Sequence, residues 1–181
     1  NYPKMRQLAK DGVKVLIVDS LYAGTDRKTN SEKIARAMVE ESMLTVNHEG
    51  KGMIITTFSS HIARLKSIVD FSKKLNRQPV FMGRSLAKYV NAAKYANDCP
   101  FAKDVQIATY KNQLKSKLKM IEKDRGKYVL VCTGHQGEPG SILDRLVSNK
   151  LHFNFNGLVS VIFSSKVIRT RVIFGNSANI V

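Results

Sequence analysis

Two cysteines in 181 residues, Cys99 and Cys132, cannot build a disulfide framework. Cys132 closes an apolar run and reads as a buried free thiol. So sparse a thiol content fits a reducing, cytoplasmic compartment. No apolar run approaches the roughly 18 residues that a membrane span needs, so no membrane partner is expected. The first residues, Asn1-Tyr2-Pro3-Lys4, carry neither an initiator methionine nor an apolar signal core. The sequence is therefore expected to begin inside a longer gene product or after a tag. There is no repeat, linker or low-complexity tract, and 43% hydrophobic with 24% charged residues excludes intrinsic disorder. A chain of this length fits one domain, residues 1–181. It buries roughly two thirds of its unfolded surface without a disulfide or metal staple.

Acidic residues are scarce. Fourteen Asp and Glu stand against thirty Lys and Arg, for a formal net charge of +16 and an isoelectric point near 10.0. A surplus of that size favours polyanions, nucleic acid foremost. An anionic membrane suits it less, because no single basic amphipathic helix has an aromatic face.

Several chemistries lack their motifs. No Gly-x-x-x-x-Gly-Lys-Ser/Thr occurs, which disfavours a Walker-type NTPase. No Gly-x-Gly-x-x-Gly follows the first apolar run, which disfavours a dinucleotide fold. Zinc-finger spacing is absent, and the four histidines show no metal-ligand pairing. His48 and His152 read as surface or loop residues. His61 and His135 fall at the ends of apolar runs.

What the sequence does hold is alternation. Residues 13–18, 53–58, 78–83, 128–132 and 158–163 are near-continuous apolar runs and are predicted as strands. Between them lie helical patterns. One opens near Thr29-Asn30-Ser31-Glu32 and runs to about Val46, with Asn30 or Ser31 as cap and Ile34, Ala35, Met38 and Met43 inward. Others run from His61 to about Leu75, from a Ser85 cap through Leu86, Tyr89 and Val90, from Asn112 to Lys123, and from Ser141 to Val147. The stretch 98–109, with Pro100, reads as a loop. Apolar strands alternating with helices predict a three-layer α/β fold, Rossmann-like, with a mainly parallel sheet and helices on both faces.

In such a sheet, ligands bind beyond the carboxyl ends of the strands. Those ends carry Asp19-Ser20; Ser59-Ser60-His61 with Arg64 one turn on; Gly83-Arg84-Ser85; Thr133-Gly134-His135-Gln136-Gly137-Glu138; and Ser164-Ser165. Small hydroxyls, glycines and arginine at helix starts are what a phosphate needs: free N–H groups, a favourable dipole and a charged fork. Ser and Gly also serve as plain caps and turns, so the agreement of five ends is the stronger signal.

The same segments, in the same order, carry a resemblance. Val15-Leu16-Ile17-Val18-Asp19-Ser20, Thr57-Phe58-Ser59-Ser60-His61-Ile62-Ala63-Arg64, Met82-Gly83-Arg84-Ser85, Thr133-Gly134-His135-Gln136-Gly137-Glu138-Pro139 and Ile162-Phe163-Ser164-Ser165-Lys166-Val167-Ile168 resemble the β-CASP domain of metallo-β-lactamase-superfamily ribonucleases. The similarity is to the ribonuclease J type of archaea and bacteria. The resemblance implies a domain inserted in a metallo-β-lactamase domain that holds two zinc ions, with single-stranded RNA in the cleft between them. The His-x-His-x-Asp-His and His-x-Ser-Gly-His runs of that family are absent here.

By this resemblance the chain is a fragment without its metallo-β-lactamase domain, binding no metal of its own and inactive alone. The parent would hydrolyse phosphodiesters with a metal-activated water, 5′-to-3′ exonucleolytically with endonucleolytic capacity. Asp19 would stand beside the metal centre in a supporting role. Arg84, Ser85, Ser60 and His61 would receive RNA phosphate, and residues Thr133 to Glu138 would line the RNA channel. Arg169 stands where the family usually has proline. Two other classes fit the residues: a stand-alone, non-catalytic nucleic-acid-binding module, and a nucleotide-using Rossmann-like enzyme. The pattern is compatible with an oligomer.

Overall fold

Four of the five apolar runs become strands of one parallel sheet, for the reason their composition suggests: each is covered on both faces. The computed structural model describes residues 2–18, 20, 23, 24, 26, 31–155 and 159–165. The chain forms two units, Asn1–Asn30 and Ser31–Val181.

The second unit holds the sheet. Its strands are β1 (Gly52–Thr56), β2 (Gln78–Met82), β3 (Gln106–Ala108), β4 (Tyr128–Cys132) and β5 (Val159–Phe163), in the spatial order β3-β2-β4-β1-β5 and all parallel. The first unit's helix, α1, is Tyr2–Asp11. The helices of the second unit are α2 (Glu32–Leu44), α3 (Ile62–Lys74), α4 (Arg84–Tyr95), α5 (Lys111–Lys123) and α6 (Ile142–Val147). Alternation along the strands divides the core in two. Met53, Ile55, Phe81, Val129 and Val131 pack with Val39 and Met43 of α2, Leu65, Ile68 and Phe71 of α3, and Leu86 and Val90 of α4. Ile54, Val80, Met82, Leu130 and Cys132 face the other way, onto Leu114, Leu118 and Ile121 of α5 and Leu143 and Leu146 of α6. The three-layer α/β architecture expected from the sequence is thus present. Burial of the Cys132 thiol pushes its pKa up and keeps it inert.

The structure departs from the sequence reading in several places. Val13 to Val18 form no strand; Ile17 is 92% exposed, and Val15, Leu16 and Val18 are also open. An apolar run becomes a strand only when another strand pairs with it, and none does so here among the described residues. The preceding α1, which the sequence did not announce, buries none of its residues. Conversely, the expected loop 98–109 contains β3, whose Gln106 to Ala108 pair with Val80 to Met82. Three residues starting on glutamine are too short for a period-2 signal. In α2 the buried positions are Val39 and Met43, while Ile34 and Met38 are exposed. Finally, α4 is opened by Gly83 rather than Ser85, with Arg84 as its first helical residue. Asp19, Thr29, Asn30, Leu158 and the segment from Lys166 through Arg169 lie outside the described residues.

Candidate nucleic-acid interface

The sheet order places the loops that matter side by side. The chain leaves β1 for β2 and β3, then returns to lay β4 between β2 and β1, and finally places β5 beyond β1. Connections therefore run to both sides of the β4–β1 centre, the arrangement that opens a crevice at the carboxyl ends. Of the five predicted strand ends, four converge there: residues 58–64 after β1, 83–85 after β2, 133–138 after β4, and 164–165 after β5.

Gly83 turns the chain from β2 into α4 with φ of +117°, a conformation that favours glycine. Its N–H bonds the Ala108 carbonyl at 2.9 Å, which fixes the turn against β3. A glycine cap has no side chain to accept from the first turn, so the amides of that turn face outward without a capping oxygen. Arg84 lies on this turn, exposed and with no ion pair among the described residues. An arginine here could instead pair with Asp19 or Glu138 across neighbouring strand ends; Glu138 makes no ion pair with Arg84, and Asp19 lies outside the described residues.

Arg64 is different. Its Nε donates to Glu32 Oε1 at 2.7 Å and its Nη2 to Glu32 Oε2 at 2.9 Å, a bidentate pair. Its Nη1 donates to the Ser164 carbonyl at 2.5 Å and to Ser164 Oγ at 2.9 Å. The guanidinium and Ser164, both read from the sequence as phosphate ligands, thus form a bracket joining α2, α3 and the end of β5. The hydrogen bonds from Arg64 hold the Glu32 carboxyl below its ordinary value, against the opposing effect of burial. His61 caps α3, its Nδ1 accepting from the Arg64 N–H at 3.2 Å, with Nε2 3.7 Å from Glu32 Oε2. Ser60 is exposed beside it and Ser59 half-buried.

The loop after β4 is rigid by packing. Gly134 has φ of +125°, and a Cβ there would meet Leu143 Cβ at 2.6 Å and Ser141 Oγ at 2.7 Å, so only glycine fits. The Thr133 carbonyl accepts from Leu143 N–H at 3.1 Å, tying the loop to α6. Glu138 Oε2 accepts from the Gln136 N–H at 3.0 Å, and Gly137 N–H bonds the Gly134 carbonyl at 3.1 Å. His135 lies beneath Phe58, ring centroids 4.0 Å apart, and is 2% exposed. Burial pushes its pKa below the ordinary value, opposed by Glu138. Phe58, which the sequence reading did not single out, has an exposed ring at the mouth of this end. Its signal was an aromatic residue directly after a strand.

The remaining basic features lie elsewhere. A cleft of about 580 Å³ opens at the amino end of the sheet, lined by Lys73, Arg77, Lys103, Asp104 and Lys127. Most of its cations are engaged. Lys73 pairs with Asp104 and Lys127 with Asp124, each at 2.6 Å, while Arg77 donates to the His48 and Lys51 carbonyls. His48 is buried rather than on the surface, its ring bonded to Ser160 Oγ at 3.1 Å and the Ser42 carbonyl at 3.0 Å.

A parallel sheet covered on both faces, with glycine-built turns and an arginine without an ion pair among the described residues at its carboxyl edge, defines a three-layer α/β protein. Comparison with known proteins narrows this. The family described as "Ribonuclease J, beta-CASP domain" matches residues 50–180. Ribonuclease J of Pyrococcus abyssi is 39% identical over 168 residues, covering 93% of this chain and 37% of that protein. Ribonuclease J of Methanocaldococcus jannaschii is 35% identical over 169 residues, again 93% of this chain and 38% of that protein. Ribonuclease J of Sinorhizobium meliloti is 26% identical over 167 residues. The chain belongs to the ribonuclease J β-CASP family, and it spans less than two fifths of the length of these relatives.

Zinc, which the family resemblance implies, does not fit the described residues. No group of three or more His, Cys, Asp or Glu among them could hold an ion. His48 is bonded to Ser160 and Ser42, His61 caps α3, and His135 is enclosed under Phe58. Among the described residues no helix is long and apolar enough to cross a membrane.

Proposed function

We propose that this chain is the RNA-clamping part of a cytoplasmic, zinc-dependent ribonuclease, and that it holds single-stranded RNA at the carboxyl end of its sheet. The observation that carries the reading is Arg84: a cation without an ion partner among the described residues, on the first turn of α4. There the outward amides and the helix dipole both favour a phosphate. Ser85 is the next residue of that turn, the loop from Thr133 to Glu138 follows the neighbouring β4, and Ser60 stands exposed after β1 on the far side of that loop. Arg64 and Ser164 serve this site by holding α3 and β5 in place. Phosphodiester hydrolysis by the parent, 5′-to-3′ with endonucleolytic capacity, would use a metallo-β-lactamase domain and its zinc ligands, none of which the described residues supply.

Two measurements test this. Arg84→Ala should weaken binding of a single-stranded RNA by about 1–3 kcal/mol, the scale of a charge-assisted hydrogen bond, with the melting temperature unchanged. A drop in stability with unaltered affinity would make Arg84 structural. The purified chain supplied with Zn²⁺ or Mn²⁺ should cut no RNA. Metal-dependent cleavage that co-purifies with it and survives contaminant controls would sink the reading.

A further inference from the structure

Three side chains at the carboxyl end of the sheet, those of Thr56, His135 and Ser165, have buried polar atoms with no hydrogen-bond partner among the described residues. His135 is 2% exposed, and neither of its ring nitrogens has a hydrogen-bond partner among the described residues. Leaving a buried donor or acceptor unmade carries its full desolvation penalty, so a fold retains such a group for a reason. Its surroundings supply one. Thr56 of β1 is paired with Cys132 and Phe163, and the ladder continues through Thr57 N–H to the Cys132 carbonyl and Ser164 N–H to the Thr56 carbonyl. Extending that register by two residues sets Phe58 level with Gly134 on one side and Ser165 on the other. Ser165 Oγ is likewise buried and unpartnered. The Phe58 ring covers His135 edge-on at an interplanar angle of 69° and is itself 48% exposed.

The chemistry of the imidazole follows from its neighbours. Burial keeps it neutral, so it offers one donor and one acceptor. The facing charged group is Glu138, whose Oε1 lies 4.0 Å from Nδ1. A carboxylate only accepts, so it selects the tautomer with the proton on Nδ1. Glu138 is anchored for this by its other oxygen, which holds the Gln136 N–H. Nε2 is left as an acceptor. Phosphate oxygens are acceptors too and gain nothing from it; the ligand group must donate.

We propose that His135 distinguishes RNA from DNA, its Nε2 accepting a hydrogen bond from a ribose 2′-hydroxyl when the Phe58 ring turns aside to stack on the neighbouring base. The inference rests on the RNA-binding reading above. The 2′-hydroxyl is the donor that RNA has and DNA lacks, and an aromatic ring stacks on any base. Glu138 is a positioning residue in this scheme.

The test measures affinities of the chain for three ten-nucleotide uridine strands with ribose, 2′-deoxyribose and 2′-O-methyl sugars. The wild type should prefer the ribose strand by about five- to tenfold, the yield of one hydrogen bond. His135→Phe fills the same space and should bring the ratio close to one while the melting temperature holds. Glu138→Gln, on an exposed loop residue, should lower the ratio in part, and it reports independently if the Phe variant fails to fold. A wild-type ratio in a folded His135→Phe protein overturns the proposal. Equal binding of all three strands by the wild type also overturns it, since a contact to the base instead of the sugar gives that result, and leaves the RNA reading standing. Binding of none overturns both.

Discussion

Arg64 and Arg84 look alike in the sequence, each an arginine just past a strand end and near a helix start. Their fates differ because of partners that sequence proximity does not reveal. Arg64 meets Glu32 and Ser164, 32 and 100 positions away. Arg84 meets no carboxylate among the described residues. Arg64→Ala should therefore lower stability by about 1–3 kcal/mol, since it strands Glu32 and frees Ser164, and any loss of RNA affinity should vanish once the unfolded fraction is subtracted. Glu32→Gln gives the complementary result through pH. A carboxyl whose folded pKa is depressed contributes fully above its unfolded value near 4.5, and that contribution is lost as pH falls through the lower folded value. The melting-temperature gap between wild type and Glu32→Gln should be widest at neutral pH and close as pH falls from 4.5 through the lower folded value. A gap that persists at pH 2 would mean that packing, not charge, is what Glu32 contributes. His48 teaches the same lesson: its buried bonds to Ser160 and Ser42 are long-range facts that no local pattern announces.

Elements were more legible than side-chain partners wherever periodicity ran long. The helices α3 and α5 carry their buried residues where the 3.6-residue spacing puts them, Leu65, Ile68 and Phe71 in one and Leu114, Leu118 and Ile121 in the other. Short or conditional elements escaped. β3 is three residues, and the run at 13–18 has a strand's composition without a strand's neighbour. In α2, Ile34 and Met38 imitate a buried stripe, but the face that meets α3 is the one bearing Val39 and Met43. The lysines of α5 show how an element's outer face can be tested. Lys111, Lys115, Lys119 and Lys123 recur every four residues and are all exposed, whereas Lys117 is half-buried and donates to Gln106 Oε1 at 2.7 Å. Changing Lys111, Lys115 and Lys119 to Gln should flatten the slope of log K against log salt for RNA binding by about one to three units, as released counterions scale with phosphate contacts. An unchanged slope would make the stripe a solvated face only.

At the scale of the whole molecule, both core clusters fall within residues 31–181. A chain of residues 31–181 should therefore unfold in one cooperative transition, followed by circular dichroism on heating, and a peptide of residues 1–30 should show none. A broad, non-cooperative melt of residues 31–181 would contradict the division. The exposed run from Val13 to Val18 then has a consequence for the protein as a colloid. A six-residue, proline-free, β-branched segment is the kind that stacks with its own copies, and Lys14 is the one charge within it. At low ionic strength a charge of +16 keeps two chains from approaching closely enough for that. Salt shortens the reach of this repulsion from about 30 Å at 0.01 M to about 3 Å at 1 M, while leaving the apolar attraction intact. On the RNA-binding reading, the same salt that would release RNA from the basic surface also removes the barrier to self-association, so the bound and the clumped states should be separated by a window of ionic strength.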